Sequence, residues 1–382
     1  MKTIVVLLLT ILTSARAIAQ VDSLNQRIFL IGDAGELHGT TQPVIDWIAK
    51  NADLNDEKTT VLYLGDNIYP LGLPMEGEPD YPEAKAILDY QINLVKGKKA
   101  RAFFVLGNHD WKNGKLGGWQ QAMNQIDYVN GLEQPNIQVW PREGCPGPVA
   151  IEISSKVVTV FIDSQWFLYV HEKPGPGSTC AAKTVDEFAT ELREIVASYP
   201  NHLLMVVMHH PMFTFGIHGG DYSWKEHLFP FTALKPNLYI PLPILGSIYP
   251  ISRGVFGSLQ DVNHPLYKNM VRTIEDAMKA HPNPVQVAGH DHSLQMILKD
   301  SIPYIVSGSG INLSRVKENR QGSLLFSNVS QNGFVMMEIR QSGKVEAKFY
   351  NMTSTSLDHP LYTYQMDSIR NIPEYVSKDS IP

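Results

Sequence analysis

The chain has 382 residues, 43% of them hydrophobic and 18% charged, with 38 acidic against 32 basic side chains and a net charge of −6. That balance excludes a disordered chain and supplies enough apolar material for a core, in roughly one to three domains. No Lys/Arg run stands out, so the basic field that a nucleic-acid backbone requires is missing.

At the N-terminus Met1 and Lys2 precede an apolar run from Ile4 to Leu12, and Ala17-Ile18-Ala19 stands before Gln20. A charged start, a short apolar run and a small-x-small step make the pattern of a secretory signal peptide over residues 1–19. The run is shorter than the roughly 18 residues that a membrane anchor needs. The later stretch Leu238 to Ile251 is interrupted by Pro241, Pro243 and Pro250, and no cysteine adjoins the expected cleavage site as a lipoprotein requires. The expectation is a secreted or periplasmic protein with no integral membrane segment after signal cleavage. Export also makes a bridge between Cys145 and Cys180 an alternative to two free thiols.

From there, short β-branched or aromatic runs read as strands at Arg27–Ile31, Thr60–Leu64, Ala102–Leu106, Val157–Ile162, Leu203–Met208, Pro284–Val287, Pro303–Val306, Phe334–Ile339 and Lys344–Tyr350. Helical patterns lie between several of them, at Gln42–Ala49, Pro82–Val95, Gly118–Val129 and Pro265–Ala280. Thr184-Val-Asp-Glu187 is a capping box that opens a further helix to about Ser198. The alternation argues for an α/β class, and the helix-poor tail after Ser301 for antiparallel strands that close a sheet. No linker splits residues 20–382, which read as one domain. One stretch departs from the rest: Tyr222–Pro265 is rich in Pro, Leu, Tyr and Phe without either period and is long for a connection. It reads as a substrate lid walled by residues such as Phe229, Phe231, Tyr239 and Tyr249, as a surface for self-association, or as plain packing.

Strand after strand ends in metal-capable groups: Asp33 in IGDAG, Asp66 to Tyr69 in GDNIY, Asn108 and His109 in GNHD, His209 and His210 in MHHP, His290 and His292 in GHDH. Singly, each has a plain reading as a turn aspartate or a surface histidine. Together they are a site, because ligands of open α/β sheets bind outside the carboxyl ends of strands. Gly32, Gly65, Gly107 and Gly289 stand just before these groups, where a strand must turn sharply and backbones approach. Carboxylate, phenolate and imidazole donors without thiolates suit iron, zinc or manganese rather than calcium. With one bridging carboxylate they suffice for two adjacent ions, the usual clamp for displacement at phosphorus.

The order Asp-x-Gly, Gly-Asp-x-x-Tyr, Gly-Asn-His-Asp, Val-x-x-His and Gly-His-x-His resembles the calcineurin-like metallophosphoesterases, and among them the purple acid phosphatases. The resemblance runs from about Arg27 to Tyr350, apart from Tyr222–Pro265. Most of the superfamily places a histidine where this chain has Gly35, and Tyr69 would replace it. GHDHSLQ followed by YIVSGSGIN, and a first motif with no β domain before it, resemble the small, tartrate-resistant type. The resemblance implies a two-sheet β-sandwich flanked by helices. It implies an Fe3+ ion on Asp33, Asp66, Tyr69 and His292, and a divalent ion (Fe2+, Zn2+ or Mn2+) on Asp66, Asn108, His209 and His290. His109 and His218 would be the catalytic histidines, with His209 the ligand and His210 either a support behind the ligands or a wall residue. Asp110 and Asp291 would either orient a histidine or shape a turn.

The activity implied is that of an acid phosphatase, which hydrolyses small-molecule phosphate monoesters by direct attack of a metal-bound hydroxide. An exported metallophosphodiesterase or nucleotide hydrolase of the same superfamily is the alternative. A third reading is a metal-binding or interaction protein without turnover; the complete ligand set and both histidines speak against it.

Overall fold

The computed structural model describes residues 22–220, 228–229, 231, 238–242, 257–317 and 322–371. The signal peptide expected over 1–19, and most of 222–256, lie outside the described residues. Two seven-stranded sheets carry the fold. The first has the order β14 (Tyr362–Met366), β13 (Val345–Asn351), β12 (Gly333–Arg340), β1 (Leu24–Ile31), β2 (Thr59–Leu64), β3 (Arg101–Val105), β4 (Ile137–Val139). The second has the order β11 (Leu324–Asn328), β9 (Leu294–Lys299), β10 (Ile302–Ser307), β8 (Pro284–Ala288), β7 (Leu203–Val207), β6 (Val157–Phe161), β5 (Val149–Ser154).

Alternation along the strands divides the core. Ile28, Leu30, Leu62 and Leu64 of the first sheet join Met205, Val207, Val285 and Val287 of the second in one cluster without helical residues, which is the interior of the sandwich. The intervening residues Phe29, Val61 and Tyr63 pack instead under helices α1 (Pro43–Asn51) and α2 (Tyr81–Asn93). Helix α3 (Gly118–Asn130) covers the same sheet beside β4, and Leu204 and Val206 lie under α5 (Val185–Ser198) and α6 (Pro265–Met278). Between β6 and β7 runs the short α4 (Ser164–Leu168). This is the helix-flanked two-sheet sandwich that the motifs lead one to expect. Each fully buried aliphatic side chain in it contributes about 1.5–3 kcal/mol.

All nine expected strands are present, as are the five expected helices. Thr184 caps α5 by accepting from the Glu187 amide, while the Glu187 carboxylate reaches back to the Lys183 amide rather than to that of Thr184. The tail after Ser301 is more divided than expected: β10 lies parallel to β8 and antiparallel to β9, and only β12 to β14 close the first sheet. Five strands escape the sequence reading: β11 and β14 are edges with exposed alternate residues, β5 is a partly buried edge, β4 has only three residues, and β9 follows the GHDH turn almost directly. Cys145 and Cys180 form a disulfide, with Cα atoms 5.6 Å apart. Among the described residues no helix is long and apolar enough to cross a membrane.

What matters for function is register. β1, β2 and β3 run parallel with Ile31 beside Tyr63 and Leu64 beside Val105, and β6, β7 and β8 do so with Phe161 beside Val207 and Val207 beside Val287. Strands so aligned end together. The turns that follow therefore leave each sheet from one edge.

Candidate metal centre

At those ends the chain turns in a conformation that side chains seldom adopt. Asp33, Asp66 and His290 have φ of 58°, 51° and 70°, each directly after a glycine. Such backbone costs about 1–3 kcal/mol per residue and persists only where its surroundings hold it. Here they do: the Asp33 amide donates to Gly65 O at 3.0 Å. The His290 amide donates to Asp33 Oδ2 at 2.8 Å, and Asp66 Oδ1 accepts from the His109 amide at 2.9 Å. The neighbours come too close for side chains at the glycines, since a Cβ on Gly107 would lie 2.2 Å from Asp66 Oδ1.

Two groups of donors result. In the first, the Tyr69 hydroxyl lies 3.0 Å from Asp33 Oδ1, 3.3 Å from Asp66 Oδ2 and 3.1 Å from His292 Nε2. In the second, His209 Nε2 lies 3.1 Å from Asn108 Oδ1, 3.2 Å from His290 Nδ1 and 3.4 Å from Asp66 Oδ1. Asp66 takes part in both, one carboxylate oxygen toward each. All seven residues singled out from the sequence as metal ligands thus come together, although they lie on five separate turns.

Outer hydrogen bonds show what the imidazoles offer inward. His209 Nδ1 donates to Leu64 O at 2.8 Å, and His290 Nε2 donates to Gln260 O at 2.9 Å. In the neutral rings, the remaining nitrogens therefore turn two lone pairs toward each other across 3.2 Å. Two lone pairs at that distance repel unless a proton or a cation lies between them. Buried oxygen and nitrogen donors without thiolate fit such an ion, and the carbonyl-held rings are the usual outer support of metal-binding histidines. Asp33, Asp66 and His209 place donor atoms within 4.8 Å of one another.

Burial pushes the His209 imidazole down, but the adjacent Asp66 outweighs it and raises the ring to about 9. Asp66 shows the reverse: burial raises it, and His209 and His109 together hold it below the usual carboxylate range. Burial, then Asp33 and Asp66, keep the Tyr69 phenol well above its ordinary value. Binding of a cation to these groups therefore competes with protons on His209 and Tyr69.

The remaining candidates divide. His109 donates from Nδ1 to Pro70 O at 2.7 Å, and its Nε2 lies 3.9 Å from Asp66 Oδ2; its ring meets Tyr69 edge-on at 4.5 Å. His218 lies with its ring 3.9 Å from that of His290 and donates from Nδ1 to Asp261 Oδ1 at 2.9 Å. His210 is buried with both nitrogens engaged, Nδ1 by Ser164 Oγ at 2.8 Å and Nε2 by Gln260 Oε1 at 2.6 Å. Asp110 and Asp291 shape turns. Asp110 accepts from the amides of Gly107, Asn67 and Ile68, and Asp291 accepts from the Thr214 hydroxyl and the His218 amide. Burial, with Asp66 nearby, pushes Asp110 up to about 8.

Ser164, Gln260 and Asp261 went unnoticed in the sequence. The last two sit in the aperiodic stretch before α6, where only contact with the histidines marks them.

The calcineurin-like phosphoesterase family model matches residues 26–240. Comparison with curated proteins gives no match. Among solved structures, the fold is similar to that of GAP50, "the anchor in the inner membrane complex of Plasmodium", with a TM-score of 0.55 at 16% identity over 92% of this chain and 91% of that one. It is also similar to PhoD, with a TM-score of 0.53 at 10% identity over 92% and 73%. A third is a purple acid phosphatase from yellow lupin (Lupinus luteus) seeds, with a TM-score of 0.50 at 12% identity over 89% of this chain and 53% of the lupin chain, about half its length. A family model that spans more than half of the sequence, on a helix-flanked double sheet with acidic and histidine donors gathered at its strand ends, establishes that the chain belongs to the calcineurin-like phosphoesterase family.

Proposed function

We propose that this phosphoester hydrolase is an exported acid phosphatase of the purple acid type, specific for monoesters. The observation that carries the reading is Tyr69, whose hydroxyl sits among Asp33, Asp66 and His292, while Gly35, where most of the resembled superfamily has a histidine, packs against the backbone of the Tyr69 loop. Asp33, Asp66, Tyr69 and His292 would hold Fe3+. Asp66, Asn108, His209 and His290 would hold Fe2+, Zn2+ or Mn2+. When bound, such a pair supplies Lewis acidity and an activated water for displacement at phosphorus.

The protein's own part is positioning and proton transfer. Asp66 ties the two donor groups through its two oxygens. His109, with Nδ1 committed to Pro70 O, would present Nε2 to a phosphoryl oxygen or a leaving group, and His218, with Nδ1 committed to Asp261 Oδ1 and its ring against His290, would do the same. A protonated imidazole there donates to the departing alkoxide, which favours acid over alkaline conditions. Export rests on the apolar run Ile4 to Leu12 with the Ala17-Ile18-Ala19 step after it.

Metal analysis and a visible spectrum on the purified enzyme test this reading, with monoester and diester substrates run side by side. The expected result is two ions per chain, a phenolate-to-iron absorption band that Tyr69→Phe removes, and faster turnover of the monoester. An iron-loaded, active enzyme whose band survives Tyr69→Phe would remove Tyr69 as a ligand. Preference for the diester would move the chain to the phosphodiesterase reading.

A further inference from the structure

The stretch Gly257–His264 enters α6, and its contacts are of a kind that a mere connection does not need. Gln260 and Asp261 reach three of the histidines around the centre. The Gln260 carbonyl accepts from His290 Nε2 at 2.9 Å, and the Gln260 side chain accepts from His210 Nε2 at 2.6 Å while its amide nitrogen donates to Gln165 Oε1 at 3.1 Å. Gln260 is thereby held by its side chain at the place where its carbonyl orients His290. Asp261 is fully buried. Its Oδ1 accepts from His218 Nδ1 at 2.9 Å and its Oδ2 from the Ser258 amide at 2.7 Å and the Ser258 hydroxyl at 2.8 Å. The Val262 amide also donates to His218 O at 3.0 Å.

We infer that Gln260 and Asp261 are positioning residues of the phosphoesterase centre: Gln260 aims His290 Nδ1 at the divalent ion, and Asp261 fixes the His218 tautomer that leaves Nε2 for the leaving group. The inference rests on the two-ion reading given above. Its physical basis is that a carbonyl and a carboxylate only accept, so each contact decides which ring nitrogen carries the proton and which way the ring faces. A carboxylate is required at 261 because both of its oxygens accept. An asparagine there keeps the shape but offers one acceptor, and turns an N–H toward either His218 or Ser258.

The test uses the full-length enzyme and its Asp261→Asn, Gln260→Ala and Gln260→Glu variants. It reads zinc affinity by chelator competition, iron content by mass spectrometry, and turnover of nitrophenyl phosphate against an alkyl phosphate. Gln260→Ala is expected to weaken zinc about tenfold or more with iron content unchanged, and Gln260→Glu, which keeps an acceptor for His210, to recover most of that loss. Asp261→Asn is expected to keep both metals and KM, to lower kcat at least about tenfold on the alkyl ester, and to change the nitrophenyl ester less than about threefold, because only the poor leaving group needs the proton. Parental zinc affinity in Gln260→Ala together with an unchanged leaving-group dependence in Asp261→Asn overturns the inference. So does joint loss of both metals in these variants, which would make the stretch a structural strut. A parent enzyme that holds no second ion refutes the two-ion reading itself, and that is read before any variant.

Discussion

Gly35 and Asp66 meet backbone to backbone: a Cβ placed on Gly35 would lie 2.6 Å from the Asp66 carbonyl oxygen and 2.7 Å from the Ile68 amide nitrogen. The loop that carries Tyr69 is docked through this contact, with the Tyr69 amide donating to Gly35 O at 2.8 Å. A side chain at 35 is therefore incompatible with this docking of the Asp66–Tyr69 loop, since backbone atoms cannot swing aside as a side chain can.

Gly35→Ala should cost about 1–3 kcal/mol, the range of an overpacked interior, and should displace Tyr69 from Asp33 and His292. Chemical denaturation measures the first effect and the visible band of the iron-loaded protein the second. A variant with parental stability and an unchanged band would show that the Tyr69 loop yields freely.

Asp66→Asn should lose both ions together, because one carboxylate oxygen faces each donor group. Asn108→Ala removes a neutral donor from the His209 side alone and should weaken mainly the divalent ion. Metal stoichiometry of the purified variants decides; full retention of both ions in Asp66→Asn would end the bridging assignment.

The disulfide joins residues 35 apart in sequence, and closing a loop of that length in the unfolded chain is worth about 3–4 kcal/mol. Replacing Cys145 and Cys180 together by serine should lower stability by that amount. The denaturation midpoint of the double variant reports it, and a midpoint equal to that of the parent would count against the bridge.

Glu338 on β12 is buried between Arg27 of β1, at 2.8 Å, and Lys348 of β13. Burial pushes its carboxyl up, but hydrogen bonds from Lys348 and Arg27 outweigh it and leave the group below the usual range. A carboxyl lowered on folding adds stability above its unfolded value of about 4.3, and that stability is lost as pH falls through the lower folded value. Glu338→Gln should therefore cost about 1.5–3 kcal/mol at neutral pH, as charged hydrogen bonds do. The difference from the parent should shrink below about pH 4. Urea unfolding across the acid range checks the sign; a difference that grows on acidification would refute it.

What the sequence determined by itself was the periodic interior and the chemistry at its ends. Runs such as Val61–Leu64 and Leu203–Val207, buried on both faces, read as strands without help. The Gly-Asp, Gly-Asn-His and Gly-His steps that follow them carry the donors, because backbone that leaves a buried strand so sharply needs glycine.

Tertiary structure decided the rest, through contacts that leave no local pattern. Asp110 and Asp291 stand beside candidate ligands in sequence yet spend their carboxylates on turns, where they accept from loop amides. Tyr69 meets His292 only because in-register strands of two different sheets end on the same side. Gln260 and Asp261 have no period, motif or glycine to mark them. They became visible when folding brought them, buried, against His290 and His218, where a lone acceptor can choose the proton on each ring.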